Sequence, residues 1–328
     1  MNLQSIERIL NLNNETKVIA EFCQNHNGDF KTLERMIEEA SLGGARYGKI
    51  QMLYSNELTR RPEFEVGGNG PFVRPYNDEF ARLSKLDLNT ELEFKFRKLC
   101  YEVNMIPMVT VFSHKAAKRA FEGGFKAIKI ASCDSTSFPL IKTISEFAEE
   151  IVISTGGTKW TEIQELAEFL SYHKIKKVTI LHCRTFYPLE LDSCQLWRML
   201  SLRTLFTSIG WSDHTPQETG VSAAKCAAFL GANIIELHFT VLKPNETKDG
   251  PVSRNKQHLQ ELTRFIEKNS SMQIEELNME KIPLAQIIGN ESDVPSITEI
   301  QNRSYYRGRV ASINSSNKQI YNWEKWVN

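Results

Sequence analysis

Two lysines stand inside otherwise apolar runs of this 328-residue chain: Lys49 within Arg46–Gln51 and Lys129 within Lys126–Ala131. A lysine in a core strand is expensive unless an anion pairs with it. Two arrangements meet that demand. One is an internal salt bridge, with Glu21 or Asp134 as the partner. The other is a cradle for a phosphate or carboxylate ligand, completed by the hydroxyls of Thr110, Ser132, Ser154 and Ser212. Two histidines make a second group. His214 and His238 close consecutive apolar runs, and neighbouring strands lie about 4.8 Å apart, so two imidazoles at one height can share a divalent metal. Two histidines without a carboxylate leave positions open to water and substrate, as a Lewis-acid site requires. His26 and His182 are read as satisfied core histidines.

These residues need elements to hold them. Short apolar, β-branched runs recur at Lys17–Phe22, Arg46–Gln51, Pro107–Phe112, Lys126–Ala131, Ile151–Ser154, Lys177–His182, Phe206–Trp211 and Asn233–His238. Buried parallel strands read this way. Amphipathic stretches lie between them, as at Phe30–Leu42, where Leu33, Met36, Ile37 and Ala40 share a face. Thr161 with Gln164 reads as a capping box, and Thr215-Pro216 as a helix start. Strand then helix, eight times over, predicts an α/β fold of the (β/α)8 barrel type. No Gly-x-Gly-x-x-Gly follows the first strand, as a dinucleotide-binding sheet would have. Chemistry in a barrel sits at the C-terminal ends of the strands. The polar residues of this chain collect there.

The domain reading follows from where that rhythm holds. Residues 1–16 are an N-terminal extension, 17–270 the barrel, and 271–328 a linker and an extended C-terminal tail. Met52–Leu88 is a long connection after the second strand, and its Gly67-Gly68-Asn69-Gly70 suggests a small hairpin or a flap.

Bulk properties narrow the partners. Forty basic residues balance forty acidic ones, so nucleic acid is not an expected partner. Six cysteines without a Cys-x-x-Cys pair read as free thiols in a reducing cytoplasm. No run reaches the roughly 18 apolar residues of a membrane span.

The strings IAEFCQNHNG, GKIQM, IKIASCDSTSFPLI, VISTGGT, LHCRTFYP, IGWSDHT and IIELHFT, in this order between about residues 18 and 253, resemble the sialic acid synthase family. This family includes the N-acetylneuraminate, legionaminate and pseudaminate synthases. The resemblance implies a barrel enzyme, a carbon–carbon bond-forming transferase, that condenses phosphoenolpyruvate with an N-acetylmannosamine-like sugar aldehyde. The products are a nonulosonic 2-keto acid and phosphate. It implies a divalent metal on His214 and His238, usually manganese, with magnesium or cobalt also suited. Lys49, Thr110, Lys129, Ser132, Ser154 and Ser212 would hold phosphoenolpyruvate. Gln51, Asp134 and Tyr187 would face the sugar, and Glu21 would handle protons. A homodimer is the usual assembly.

The chain departs from the family on the sugar side. Asp134 stands where Glu is usual, and Thr185 where Asn is usual. Lys248-Asp249-Gly250-Pro251 replaces the usual Pro-Gly-Pro-Asp, with Asp249 as the substitute carboxylate. The C-terminal antifreeze-like domain of the family is expected to be incomplete here. Two other readings stay open: a metal-dependent sugar hydrolase or lyase on the same barrel, and a non-catalytic binding member.

Overall fold

The computed structural model describes residues 15–68, 72–175, 177–290 and 294–326. Eight parallel strands close into a barrel in sequence order: β1 (Lys17–Cys23), β2 (Tyr47–Met52), β3 (Ile106–Val111), β4 (Ala127–Ile130), β5 (Glu150–Ser154), β6 (Val178–Cys183), β7 (Ile209–Asp213) and β8 (Ile234–His238). β1 pairs with both β2 and β8, which removes the sheet edges. Helices wrap the barrel, among them α1 (Phe30–Leu42), α2 (Tyr76–Leu83), α3 (Thr90–Glu102), α4 (His114–Glu122), α5 (Phe138–Ser145) and α6 (Trp160–Tyr172). α7 (Trp197–Leu202), α8 (Ser222–Phe229) and α9 (Lys256–Ile266) complete the ring.

Side chains alternate along each strand, and this sorts them into layers. Val18, Ala20, Ile50, Val109, Ile128 and Ile153 face outward into the core beneath the helices. The intervening residues face the barrel axis. Ile19, Tyr47, Met108, Val152, Leu181 and Ile234 fill its lower part with a dry cluster. Two residues further along the same strands the axis turns polar, with Glu21, Lys49, Thr110, Lys129, Ser154 and Glu236 all buried. The period of two therefore places an apolar plug below and a charged floor above. Gly210 lets β7 and β8 approach closely, because a Cβ there would collide with the Ile234 carbonyl oxygen.

Some helix starts differ from the sequence reading. α6 begins at Trp160, and Glu162 accepts from the Lys159 N–H at 2.8 Å, so Thr161 lies inside the helix. After Thr215-Pro216 a short 3-10 turn intervenes, and α8 starts only at Ser222. The connection after β2 forms two 3-10 turns and α2 over its described residues, with no hairpin there. Asn69 and Gly70 lie outside the described residues, as does most of 1–16.

The region after Ser270, read as linker and extended tail, is largely helical. α10 (Ser270–Met279) and α11 (Leu284–Ile288) pack Leu277 and Ile287 into the barrel core. Lys225 on α8 is fully buried and paired with Glu276 at 2.9 Å and Glu280 at 2.7 Å. α12 (Ile297–Tyr306) then crosses the barrel mouth, followed by a small antiparallel pair, β9 (Ser312–Ile313) and β10 (Gln319–Ile320). Arg303 of α12 pairs with Glu162 at 2.6 Å, and Glu299 with Arg184 at 2.9 Å. Beyond α12 the backbone joins the connection after β2, where the Thr59 N–H donates to Arg309 O and the Ala311 N–H to Glu57 O. The barrel mouth is thus roofed by two segments of this same chain.

Candidate active site

A cavity of about 470 Å³ lies between the charged floor and this roof, a size usual for small-molecule sites. Seven cationic side chains line it against three carboxylates, so it is built for anions.

Two lysines form its floor in different ways. Lys49 contacts the Glu21 carboxylate, donates to Thr110 Oγ1 at 2.9 Å and lies 3.5 Å from Glu236. Its salt-bridge reading therefore holds for Glu21 and fails for Asp134. Burial pulls its ammonium down to about 8, with Glu236 acting against that fall. Glu236 itself pays for burial, but Lys49 and Lys129 outweigh this and hold it ionised; Ser212 Oγ donates to it at 3.0 Å. Lys129 instead donates to Ser154 Oγ at 2.6 Å and to Ile130 O at 3.0 Å. No carboxylate among the described residues stands within ion-pair distance of it. Ser132 Oγ accepts from the Gly156 N–H at 2.9 Å and completes that side.

The histidines stand opposite. The ring centroids of His214 and His238 are 5.3 Å apart, and Tyr187 lies 4.1 Å from His214. His214 Nδ1 is 2.7 Å from Arg184 O, which makes Nδ1 the proton-bearing atom and leaves the Nε2 lone pair available. Burial drives His214 down to about 4, so the ring is neutral. His238 Nδ1 is buried without a hydrogen-bond partner, 3.7 Å from Asp249 Oδ2. Donor atoms of Cys23, His238 and Asp249 all lie within 4.8 Å of one another. Cys23 ends β1 with φ of +39°, a left-handed conformation unusual for a residue with a Cβ. An orphaned imidazole nitrogen beside a carboxylate and a thiol is a donor set that fits a divalent metal. Second contacts hold it in place: Thr247 Oγ1 donates to Asn25 Oδ1 at 2.5 Å, and Ser253 Oγ to Asp249 O at 2.7 Å.

The structure thus gathers Glu21, Lys49, Gln51, Thr110, Lys129 and Ser132 around one cavity, together with Ser154, Tyr187, Ser212, His214, His238 and Asp249. Asp134 is the exception. It sits on a 3-10 turn, does not line the cavity, and accepts from Ser137 Oγ at 2.8 Å and Asn322 Nδ2 at 3.0 Å. It fastens the C-terminal segment to the β4 loop. Asp134→Ala leaves two buried donors unmatched and is expected to cost about 1–3 kcal/mol of stability. A thermal midpoint unmoved by the substitution would remove this fastening role. His182 is a core residue, its Nε2 2.9 Å from Cys194 O.

Sequence reasoning passed over Cys23 and Glu236. Glu236 carried the same signal as Lys49, a charge on the inward face of an apolar strand. Nothing in the sequence marked Cys23, whose reach depends on the backbone turn at the end of β1.

The NeuB family model matches residues 36–276. The N,N'-diacetyllegionaminic acid synthase of Campylobacter jejuni is 30% identical over 255 residues, covering 77% of this chain and 75% of that protein. The N-acetylneuraminate-9-phosphate synthase of Drosophila melanogaster is 29% identical, covering 76% and 66% respectively. The crystal structure of spore coat polysaccharide biosynthesis protein SpsE from Bacillus subtilis superposes with a TM-score of 0.70 at 23% identity, over 88% of this chain and 77% of that one, a likeness of fold.

Proposed function

This chain belongs to the NeuB family, and from that premise we propose that it condenses phosphoenolpyruvate with an N-acetylmannosamine-like sugar aldehyde. Carbon three of phosphoenolpyruvate bonds to the aldehyde carbon, and the aldehyde oxygen takes up a proton. Water adds at carbon two, and phosphate leaves as the ketone forms. The product is a nonulosonic 2-keto acid.

The observation that carries this reading is Lys129, a buried cation in a floor of hydroxyl donors with no carboxylate within ion-pair distance among the described residues. A bound anion removes that cost. Lys49, Thr110, Lys129, Ser132, Ser154 and Ser212 are the residues we assign to phosphoenolpyruvate. Gln51, Tyr187 and Asp249 are assigned to the sugar. Glu21 is assigned to proton handling, since it contacts Lys49 and lies 3.4 Å from Gln51 Nε2. His214 and His238, joined by Asp249 and Cys23, would hold the metal. When bound, the metal supplies Lewis acidity to the aldehyde oxygen. The family resemblance favours manganese, whereas a thiol among the donors favours a softer ion such as cobalt. The six cysteines are buried free thiols, which supports a cytoplasmic setting.

The test is turnover of the purified protein with manganese or cobalt, phosphoenolpyruvate and N-acetylmannosamine, alongside its 6-deoxy diacetamido relatives. Inorganic phosphate should appear in equal amount with a 2-keto acid whose mass is the sum of both carbon skeletons. Metal-replete protein that releases no phosphate with any aldehyde would overturn the proposal.

A further inference from the structure

His214 directly follows β7, and its Nδ1 bonds Arg184 O at 2.7 Å. That carbonyl lies just past the end of β6, in a loop, where direction depends on what packs against the backbone. The C=O of Arg184 and the N–H of Thr185 belong to one planar peptide unit and point in opposite directions. Glu299 of the roof helix α12 meets the far side of that unit. The Thr185 N–H donates to Glu299 Oε1 at 3.4 Å, and Arg184 Nη2 pairs with Oε2 at 2.9 Å. Asn302, three residues on along the same helix face, donates from Nδ2 to Thr185 O at 2.8 Å. α12 itself sits hard against the barrel: a Cβ on Gly157, after β5, would come within 2.9 Å of Glu299 O.

Helix capping accounts for only part of Glu299. Its Oε2 accepts from the Ser296 N–H at 3.1 Å and closes a capping box at the start of α12. A capping glutamate needs no burial. Glu162 caps α6 with its side chain 26% exposed, whereas that of Glu299 is 2% exposed. A carboxylate is costly to bury unless hydrogen bonds and a counter-charge complete it. The contacts that complete this one run to Arg184 and Thr185. A carboxylate on the N–H of an amide polarises it and strengthens its carbonyl as an acceptor. That carbonyl in turn fixes the His214 ring and makes Nε2 the better donor to a metal.

We propose that Glu299 is a positioning residue for His214, acting through the Arg184-Thr185 peptide, so that the roof helix sets the orientation and donor strength of a metal ligand. The inference rests on the synthase reading above, in which His214 holds the metal. Asn302 steadies the same loop one carbonyl further on. The cover of the cavity and the metal end of its floor are then one mechanical unit, joined by a single amide.

Cobalt binding, followed by calorimetry on the full chain and its variants, is the first measurement. Glu299→Ala should weaken it by about 10-fold, the lower end of the range for an outer hydrogen-bond partner of a ligand. Glu299→Gln keeps the cap and an acceptor for the Thr185 N–H, and should recover most of that loss. Glu162→Gln is the control. It removes the charge that pairs with Arg303, the other tether of α12, and should leave cobalt affinity within about twofold of the native value. If Glu299→Ala does not fold, Asn302→Ala gives the same reading from the neighbouring tether. The second measurement needs no metal. In spectra of isotope-labelled histidine, the His214 Nδ1–H, assigned by its loss in His214→Gln, should exchange with solvent faster in Glu299→Ala than in the native chain. Native cobalt affinity in both Glu299→Ala and Asn302→Ala would overturn the proposal and leave the synthase reading intact. A loss in Glu162→Gln equal to that in Glu299→Ala would also overturn it, because α12 would then act as a cover alone. If the native chain binds no cobalt, the metal assignment fails and proton exchange decides the coupling. Faster exchange in Glu299→Ala retains it, and an unchanged rate removes it.

Discussion

Lys129→Ala should lower kcat/KM for phosphoenolpyruvate by about 10²- to 10³-fold, the loss typical when one fixed electrostatic donor is removed from a reaction site. Lys49, two strands away, has Glu21 and Glu236 to balance it. Lys129 is as deeply buried, yet among the described residues its ammonium hydrogen-bonds only a hydroxyl and a backbone carbonyl, with Glu236 acting on it from beyond ion-pair distance. In the free protein such a cation is a cost to folding. Removing it should therefore leave the thermal midpoint unchanged or raise it. A merely structural lysine behaves oppositely, because its loss strands its partners and lowers stability. Steady-state kinetics and thermal denaturation on one preparation separate the two. Unaltered KM and kcat together with a lower midpoint would make Lys129 a structural residue and remove the main support for the anion floor.

What was legible in the sequence follows from the periodicity of strands. Inward and outward faces alternate, so a charge two residues past an apolar inward residue must enter the barrel. Glu21, Lys49, Thr110, Lys129 and Ser154 all obey this rule, and all reach the cavity. The rule ends where the strand ends. Asp134 lies four residues beyond β4, on a turn whose direction no periodicity fixes, and it points to Asn322 instead. Cys23 comes beside His238 and Asp249 through a single left-handed residue, a backbone feature its identity does not announce. The roof was hidden for another reason. α12 and the Arg309 segment are held by contacts with Glu162, Arg184 and Glu57, more than 100 residues away in the chain. Their short amphipathic patterns resemble those of any surface helix, so an extended tail was expected where a cover stands.

The proposed metal donors permit the second large effect to be tested on binding as well as on rate. His238 is the shared member of the group: it faces His214 across 5.3 Å between ring centroids, and its Nδ1 lies beside Asp249 and near Cys23. His238→Ala should reduce turnover by about 10³-fold, since Lewis-acid polarisation contributes several kcal/mol and each 1.36 kcal/mol is tenfold. It should also weaken cobalt binding, followed by calorimetry, by more than the 10- to 100-fold typical of losing an outer hydrogen-bond partner. Cys23 gives a separate signature. Cobalt bound to the native chain should show the near-ultraviolet absorption of a thiolate-to-metal charge transfer, and Cys23→Gly should abolish it. Glycine also relieves the left-handed backbone, worth roughly 1–2 kcal/mol, so metal-free Cys23→Gly should melt higher than the native chain. Loss of the absorption with a rise in stability would mark Cys23 as a residue kept in a strained position for the metal. An unchanged spectrum in Cys23→Gly would take the thiol out of the site and leave the two histidines with Asp249. Cobalt affinity untouched by His238→Ala would remove the metal centre from this end of the barrel.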